Sequence, residues 1–289
     1  MARILGVGNA TLDIVNVVDN YPHEDQEVRA SSQHLHRGGN VANTLVVLSQ
    51  LGHDCAWAGT LADERDAAII REDLTEHGVD LSAVHSVAQG KVPTSYISLS
   101  RLNGSRTIVH YRDLPEYSAA DFARIDLNLF DWLHFEGRNI EQIRLMLARA
   151  RREQPNLLCS LEVEKVREGI ESLFPLVDVL MFSKDYVRRQ GWHDAEHFLA
   201  AMKKQQLNAD LTCTWGSKGA YALSRTGEQL HEPAFAPKMV VDTLGAGDVF
   251  NAGLIAQLVM GHNLDIALIE ASRLAGKKCG LYGLKRLVE

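Results

Sequence analysis

The sequence predicts an α/β fold: a doubly wound, mostly parallel sheet flanked by helices, with a small β-sheet lid. Three observations carry that expectation. Short apolar runs alternate with helix-length segments along most of the 289 residues. The first run ends in Gly8 and the first helical segment stops at Gly52, as element boundaries should. One stretch breaks the alternation with two strands and a turn where a helix is due.

Residues 3–8 form the opening apolar run, and residues 14–18 are a second strand after a polar break. From Asn40, the run VANTLVVLSQLG sets Val41, Leu45, Leu48 and Leu51 on one helical face. A strand at 55–59 follows at once. The pattern repeats as a helix at 63–77, a strand at 132–135, a helix at 141–152 and a strand at 157–163. Residues 177–182 and 211–214 are further buried strands, and helices at 246–260 and 264–278 close the chain. Strands separated by helices need crossover connections, so the sheet is expected to be parallel.

The exception lies at 95–100 and 106–111, two alternating strands around Leu102, Asn103, Gly104 and Ser105. This hairpin belongs outside the main sheet. With 14–18 and the polar stretch 27–34 it is expected to form a small sheet over the strand ends, where α/β proteins bind ligands. The organisation expected is a single domain over 1–289, with the lid inserted from roughly 14–36 and 91–113.

Thirty basic against 37 acidic residues give a net charge of -7, and no long Lys/Arg block stands out, which disfavours nucleic acid or an anionic membrane as partner. Cys55, Cys159, Cys213 and Cys279 are far apart and form no CxxC pair. They read as reduced thiols of a cytoplasmic protein. Residues 1–18 lack the apolar core of a signal peptide, because Asn9, Thr11 and Asp13 interrupt it, and the uncharged stretch 249–264 is too short to span a bilayer.

The strongest local signal is Asp242-Thr243-Leu244-Gly245-Ala246-Gly247-Asp248, followed directly by the helical run VFNAGLIAQLV. Glycines before a helix let the backbone approach an anion, and the helix N-terminus favours negative charge there. A carboxylate at such a hole can take a hydroxyl proton while amides stabilise a phosphoryl group in transfer. Taken alone, the same residues also read as a turn and a helix cap. The second signal is Gly38-Gly39-Asn40-Val41-Ala42-Asn43, whose two amides lie one helical turn apart and can face one pocket. With Asp13 and Asp25 upstream, these are groups that read sugar hydroxyls, or an ordinary cap with surface amides.

Other patterns carry less. Residues 6–11, GVGNAT, lack the third glycine of a dinucleotide fingerprint, and no GxxxxGK[ST] loop occurs. His193 and His197 have helical spacing but charged neighbours, which suits a solvated face. His34 and His36 lie near the glycine pair with nothing in their spacing to demand a role, and Lys277 and Lys278 read as offsetting a helix C-terminus.

The pair of motifs DTLGAGD and RGGNVANTLVVLSQLG, in this order, resembles the PfkB, or ribokinase-like, carbohydrate kinases, and the similarity runs through residues 4–284. Within that family the segments YPHEDQEVR, NGSRTIV, HFEGRN, SLEVEKVRE, FSKD and AGKKCGL are similar to those of the ketohexokinases. The resemblance implies ATP-dependent phosphorylation of a small carbohydrate, most closely O1 of a ketohexose such as fructose. It implies Asp248 as general base and Gly245, Ala246 and Gly247 as the anion hole. It also implies sugar contacts from Asp13, Asp25, Gly39, Asn40 and Asn43, and Arg106 reaching in from the lid.

Trp215, Gly216 and Gly219 match a nucleotide-side loop, and Cys279 matches the segment near adenine; on the residues alone they are equally a buried tryptophan, turn glycines and a core cysteine. Asp242 matches a monovalent-cation site, implying K⁺ beside the Mg²⁺ of the nucleotide. The family's Asn-x-x-Glu motif is replaced here by Ser183-Lys184-Asp185-Tyr186, which leaves Glu136, Glu162 and Glu164 as groups able to act on Mg²⁺ through water. Dimerisation through the lid is implied as well. The alternatives are a kinase for another acceptor (ribose, a sugar acid, fructose O6, a nucleoside) and a non-catalytic sugar or nucleotide sensor on the same fold.

Overall fold

From Ile4 to Val7 the first strand, β1 (Arg3–Val7), is buried at every position. In the computed structural model, which describes residues 1–285, 287 and 288, Ile4 packs into the apolar layer on one face of a sheet and Leu5 into the layer on the other. There follow β2 (Thr11–Val18), β3 (Ser32–Gly38), α1 (Asn40–Gln50), β4 (Asp54–Ala58), β5 (Thr60–Ala62), α2 (Arg65–Glu76), β6 (His85–Val87), β7 (Lys91–Ser100) and β8 (Arg106–Asp113). After the short α3 (Ala119–Phe122) come β9 (Trp132–Glu136), α4 (Ile140–Glu153), β10 (Leu158–Val163), β11 (Val179–Ser183), α5 (Lys184–Arg189) and α6 (Ala195–Lys203). The chain finishes with β12 (Asp210–Thr214), β13 (Ala220–Leu223), β14 (Gln229–Glu232), α7 (Ala246–Val259) and α8 (Leu264–Cys279).

The larger sheet runs in the order β14-β13-β12-β11-β10-β9-β1-β4. It is parallel from β4 through β12 and antiparallel at the β13 and β14 edge. Leu45 of α1, Ile70 of α2, Leu254 of α7 and Leu268 of α8 pack against one face. Leu147 of α4, Val187 of α5 and Phe198 of α6 pack against the other. The expected doubly wound α/β architecture is the one observed. A separate four-stranded sheet, β3-β2-β7-β8, and a two-stranded one, β5-β6, complete the fold.

Three differences from the sequence expectation have physical causes. α1 was expected to bury one face, yet Val41 through Leu48 are all buried, because α7 covers the side that the sheet leaves open. The strand expected within 27–34 forms at Ser32–Gly38, where alternating residues pair with β2 as far as the glycines. β13 and β14 are four residues each, too short to show a period, and escaped the sequence reading.

His193 lies ahead of α6, whose N-cap Asp194 accepts from the His197 amide at 2.9 Å, so the two imidazoles do not share a helix face. Burial pushes the thiols of Cys55, Cys159 and Cys213 up to about 12, which keeps them unreactive, while Cys279 closes α8 partly exposed. Among the described residues no helix is long and apolar enough to cross a membrane.

The second sheet is joined to the body where β3 ends at Gly38 and α1 begins at Asn40. Gly39 alone turns the chain, at φ +100°, with its Cα so close to β1 and its loop that an added Cβ would lie 2.2 Å from the Asn9 carbonyl oxygen. Left-handed strain in a residue with a side chain costs about 1–3 kcal/mol, to which the clash adds. Gly39→Ala should therefore lower Tm by roughly 5 °C or more in a scanning-calorimetry comparison. An unchanged Tm would contradict this backbone geometry.

Candidate active site

The parallel strands end on one side of the sheet, and the side chains there are acidic or polar: Glu136 on β9, Glu162 on β10, Ser183 on β11 and Thr214 on β12. The N-termini of α1 and α7 point to the same place, and β2, β3 and β7 of the second sheet face it. Between them lies a cleft of about 790 Å³. The sequence-predicted residues Asp13, Gly39, Asn40, Asn43, Arg106, Asp242, Gly245, Ala246, Gly247 and Asp248 all line it.

Asp248 sits in the first turn of α7 and is 7% exposed. Its burial follows from that of the helix, which is enclosed from Asp248 to Ala256. Asn43 Nδ2 donates to Asp248 Oδ2 at 2.6 Å, and Thr44 Oγ1 donates to its backbone carbonyl at 3.2 Å, so α1 fixes both the side chain and the turn that bears it. Burial pushes the Asp248 carboxyl up to about 7; the Asn43 bond and the Arg37 charge oppose that rise, while Glu164 and Glu136 reinforce it. Glu162 is driven well above the usual carboxylate range by burial and then by the charges of Asp248, Glu136 and Glu164. Asn40 Nδ2 spans Glu162 Oε1 at 3.0 Å and Glu164 Oε2 at 3.2 Å, and Glu162 Oε2 is buried with no partner.

The turn before α7 is held from behind. Asp242 Oδ1 accepts from the Leu244 amide at 2.9 Å, and its Oδ2 accepts from the Gly283 amide at 3.1 Å and from Lys278 Nζ at 2.8 Å. Lys278 is fully buried and also donates to the carbonyls of Asp242 and Leu281. Gly245 caps α7 at φ +77°, and an added Cβ on Gly247 would meet nothing within 4 Å, so the backbone at that residue is open. The Ala246 amide already makes a turn bond to Thr243 O at 3.3 Å. Amides in a first helical turn have no carbonyl partner within the helix, and their dipoles attract an anion.

Five of the residues predicted to hold sugar or nucleotide lie outside the lining of the cleft, as does Glu136. Asp25 is exposed in the loop between β2 and β3, at φ +61°. Trp215 is buried, with Lys184 Nζ and Arg188 Cζ each 5.8 Å from its ring centre, and it opens the turn containing Gly216 and Gly219 just beyond cleft-lining Thr214. The Cys279 carbonyl accepts from the Val241 and Asp242 amides, which places that residue against the back of the anion loop.

Sequence reading missed Arg37, Asp73 and Lys278. A buried cation leaves no periodic trace, and a Lys-Lys pair at a helix end suggests only a solvated terminus. It also left His36 without a role; here its Nε2 lies 3.1 Å from Tyr282 Oη at the cleft wall.

The geometry joins a carboxylate poised to change protonation near neutrality to an anion-attracting helix start. Because the folded-state pKa of Asp248 is raised, its contribution to stability is fullest at low pH and is lost as pH rises through about 7. Asp248→Asn, which keeps an acceptor for Asn43, should raise Tm above wild type at pH 8, with the gap closing toward pH 4. Calorimetry showing equal Tm values at pH 8 would remove the buried-charge penalty.

Comparison with known proteins gives the family. The model of the "pfkB family carbohydrate kinase" matches residues 1–287. Ketohexokinase of Mus musculus is 43% identical over 294 aligned residues, covering 99% of each chain. An ATP-dependent ribose-1-phosphate kinase of Halopiger xanaduensis is 26% identical, covering 99% of this chain and 94% of its own. The structure of Arabidopsis thaliana ribokinase complexed with ribose and ATP superimposes with a TM-score of 0.84 at 21% identity, covering 99% of this chain and 95% of that one, a likeness of fold. Matched over nearly its whole length, the chain belongs to the pfkB family of carbohydrate kinases.

Proposed function

We propose that the protein is an ATP-dependent ketohexose kinase that moves the γ-phosphoryl group of ATP to O1 of a ketose such as fructose. The observation that carries this reading is the Asp248 carboxylate, raised to about 7 at the head of α7, in a chain 43% identical to a ketohexokinase. Asn43 engages Oδ2, and no side chain among the described residues bonds Oδ1, which is left for the acceptor hydroxyl. As the new O–P bond forms and the bond to the ADP oxygen breaks, Asp248 takes the hydroxyl proton. The amides of Gly245, Ala246 and Gly247 face the charge on the phosphoryl oxygens.

Asp13, Gly39, Asn40 and Asn43 hold the sugar in this reading, and Arg106 reaches the phosphates from β8. Asp25 is the remaining sugar contact in this reading, from the exposed loop between β2 and β3. The turn at Trp215, Gly216 and Gly219, with Cys279, holds the nucleotide base side.

Mg²⁺ would be held by the triphosphate and, through water, by Glu162, whose orphaned Oε2 fits such a contact. It would supply charge neutralisation along the phosphates. The K⁺ implied at Asp242 fits less well, since that carboxylate already carries the Lys278 ammonium, and no step is assigned to it.

The four-stranded sheet acts as the lid of a single domain, limiting water and wasteful hydrolysis. Tyr96 and Val109 pair across β7 and β8, with Tyr111 on the same face, and all three are exposed. That apolar face suits a homodimer through the lid, in the cytoplasm.

Incubation with ATP and Mg²⁺ against ketoses, aldoses, sugar acids and nucleosides, with phosphate located by NMR, tests the assignment. Fructose 1-phosphate is the expected product. Another preferred acceptor would replace the substrate, and ligand binding without transfer would favour a sensor. Turnover should rise with pH through about 7, as Asp248 loses its proton. Asp248→Asn should lower turnover by roughly 10²–10⁴-fold. Val109→Asp should convert the dimer to monomer in light scattering; a wild-type monomer at micromolar concentration would refute the lid interface.

A further inference from the structure

Arg37, near the end of β3, is the one residue among those described that bridges the acidic helix α2 to the amide bonded to Asp248. Its side chain is 3% exposed. Nε donates to Asp73 Oδ2 at 2.5 Å, and Nη1 donates to Asn43 Oδ1 at 2.6 Å. Asn43 Nδ2 then donates to Asp248 Oδ2 at 2.6 Å. Three bonds thus run from α2 through β3 and α1 to α7.

A buried guanidinium needs a counter-charge, which Asp73 provides, but its second bond goes to a neutral amide. That bond has a directional consequence. A carboxamide can present either its N–H or its oxygen to a neighbour: the N–H favours an ionised carboxylate, whereas the oxygen favours a protonated one. With Oδ1 turned toward Arg37, the N–H side of the Asn43 amide faces Asp248.

We propose that Arg37 is a positioning residue for the reaction, locking the Asn43 amide so that Asp248 is held as the ionised base. The proposal rests on the reading of Asp248 as the proton acceptor. Arg37 touches no reacting atom and acts through Asn43 and through its own charge.

The charged groups around Asp248 are Glu136 of β9, Glu162 and Glu164 at the end of β10, and Arg37 of β3. Behind Arg37 stand Asp73 of α2 and His77 just past its C-terminus, the His77 Nδ1 lying 3.9 Å from Asp73 Oδ2. Arg37 opposes three carboxylates, so its removal and the removal of Asp73 have opposite signs. Arg37→Met takes away a cation and frees the amide, which raises the proton affinity of Asp248. Asp73→Asn keeps an acceptor for Arg37 Nε and unmasks the guanidinium, which lowers it.

The experiment is a pH titration of the Asp248 carboxyl by ¹³C NMR in aspartate-labelled protein, assigned with Asp248→Asn, alongside kcat/KM against pH for the acceptor that wild type uses. Arg37→Met should raise the Asp248 pKa and the acidic limb of the profile by about one unit, the scale of one neighbouring charge. Activity near pH 7 should fall about fivefold and recover by pH 9. Arg37→Lys, which retains the charge but not the two-armed fork, should shift the limb by less, and Asp73→Asn should shift it downward. If Arg37→Met does not fold, the downward shift in Asp73→Asn carries the test.

An Asp248 carboxyl that titrates as in wild type in the folded variants overturns the proposal, however far kcat falls. A wild-type profile that does not follow the NMR titration of Asp248 overturns the base assignment beneath it.

Discussion

A carboxylate removed from water at the head of a buried helix is the constraint on which the rest of this molecule turns. Asp248 is destabilised as an anion by its own burial, and the three nearby glutamates make that worse. A carboxylate in such a place survives in ionised form only if dipoles and a cation are aimed at it. α1 contributes Asn43, and β3 contributes Arg37 at one remove. The resulting compromise, a group poised near neutrality, is more useful to proton transfer than either a surface aspartate or a fully suppressed one.

That compromise requires close packing of elements from distant parts of the sequence, and two glycines allow it. A Cβ on Gly38 would lie 2.3 Å from Asp13 Oδ2, and one on Gly39 would strike the Asn9 carbonyl oxygen. The second sheet can therefore lie against the start of α1, bringing Asp13, Arg37 and Asn43 within one wall of the cleft. The sugar-side and base-side groups are set by the same backbone crossing, so a distortion there reaches both.

Much of this was legible from residues alone. Strands buried on both faces read as continuous apolar runs, and the DTLGAGD and GGNVAN motifs carry their glycines and polar groups at local spacings, so β1, β9 to β12, α1 and α7 and most of the cleft could be placed. The four-residue strands β13 and β14 could not, because a period of two has no room to repeat. α1 looked amphipathic because the polar residues that break its apolar face, Asn43 and Thr44, are buried in service of Asp248. Asp25 lies in an exposed loop between β2 and β3, where a motif fixes neighbours in sequence and says little about a loop's direction.

The least legible parts are the two buried cations, and their chemistry explains the division of labour between them. Lys278 gathers three oxygens, from Asp242 and Leu281, around a single ammonium, a task for a compact point charge with rotatable donors. It ties the turn before α7 to the end of α8. Arg37 instead addresses two acceptors on different elements through separate nitrogens of one rigid plane, which an ammonium on a flexible stem cannot do with the same fixed orientation. Lys278 thus sets where the anion-binding backbone lies, and Arg37 sets which face of an amide the base meets. Each needs its half-buried carboxylate partner, Asp242 or Asp73, so the walls of the active cleft are held in place by paired charge.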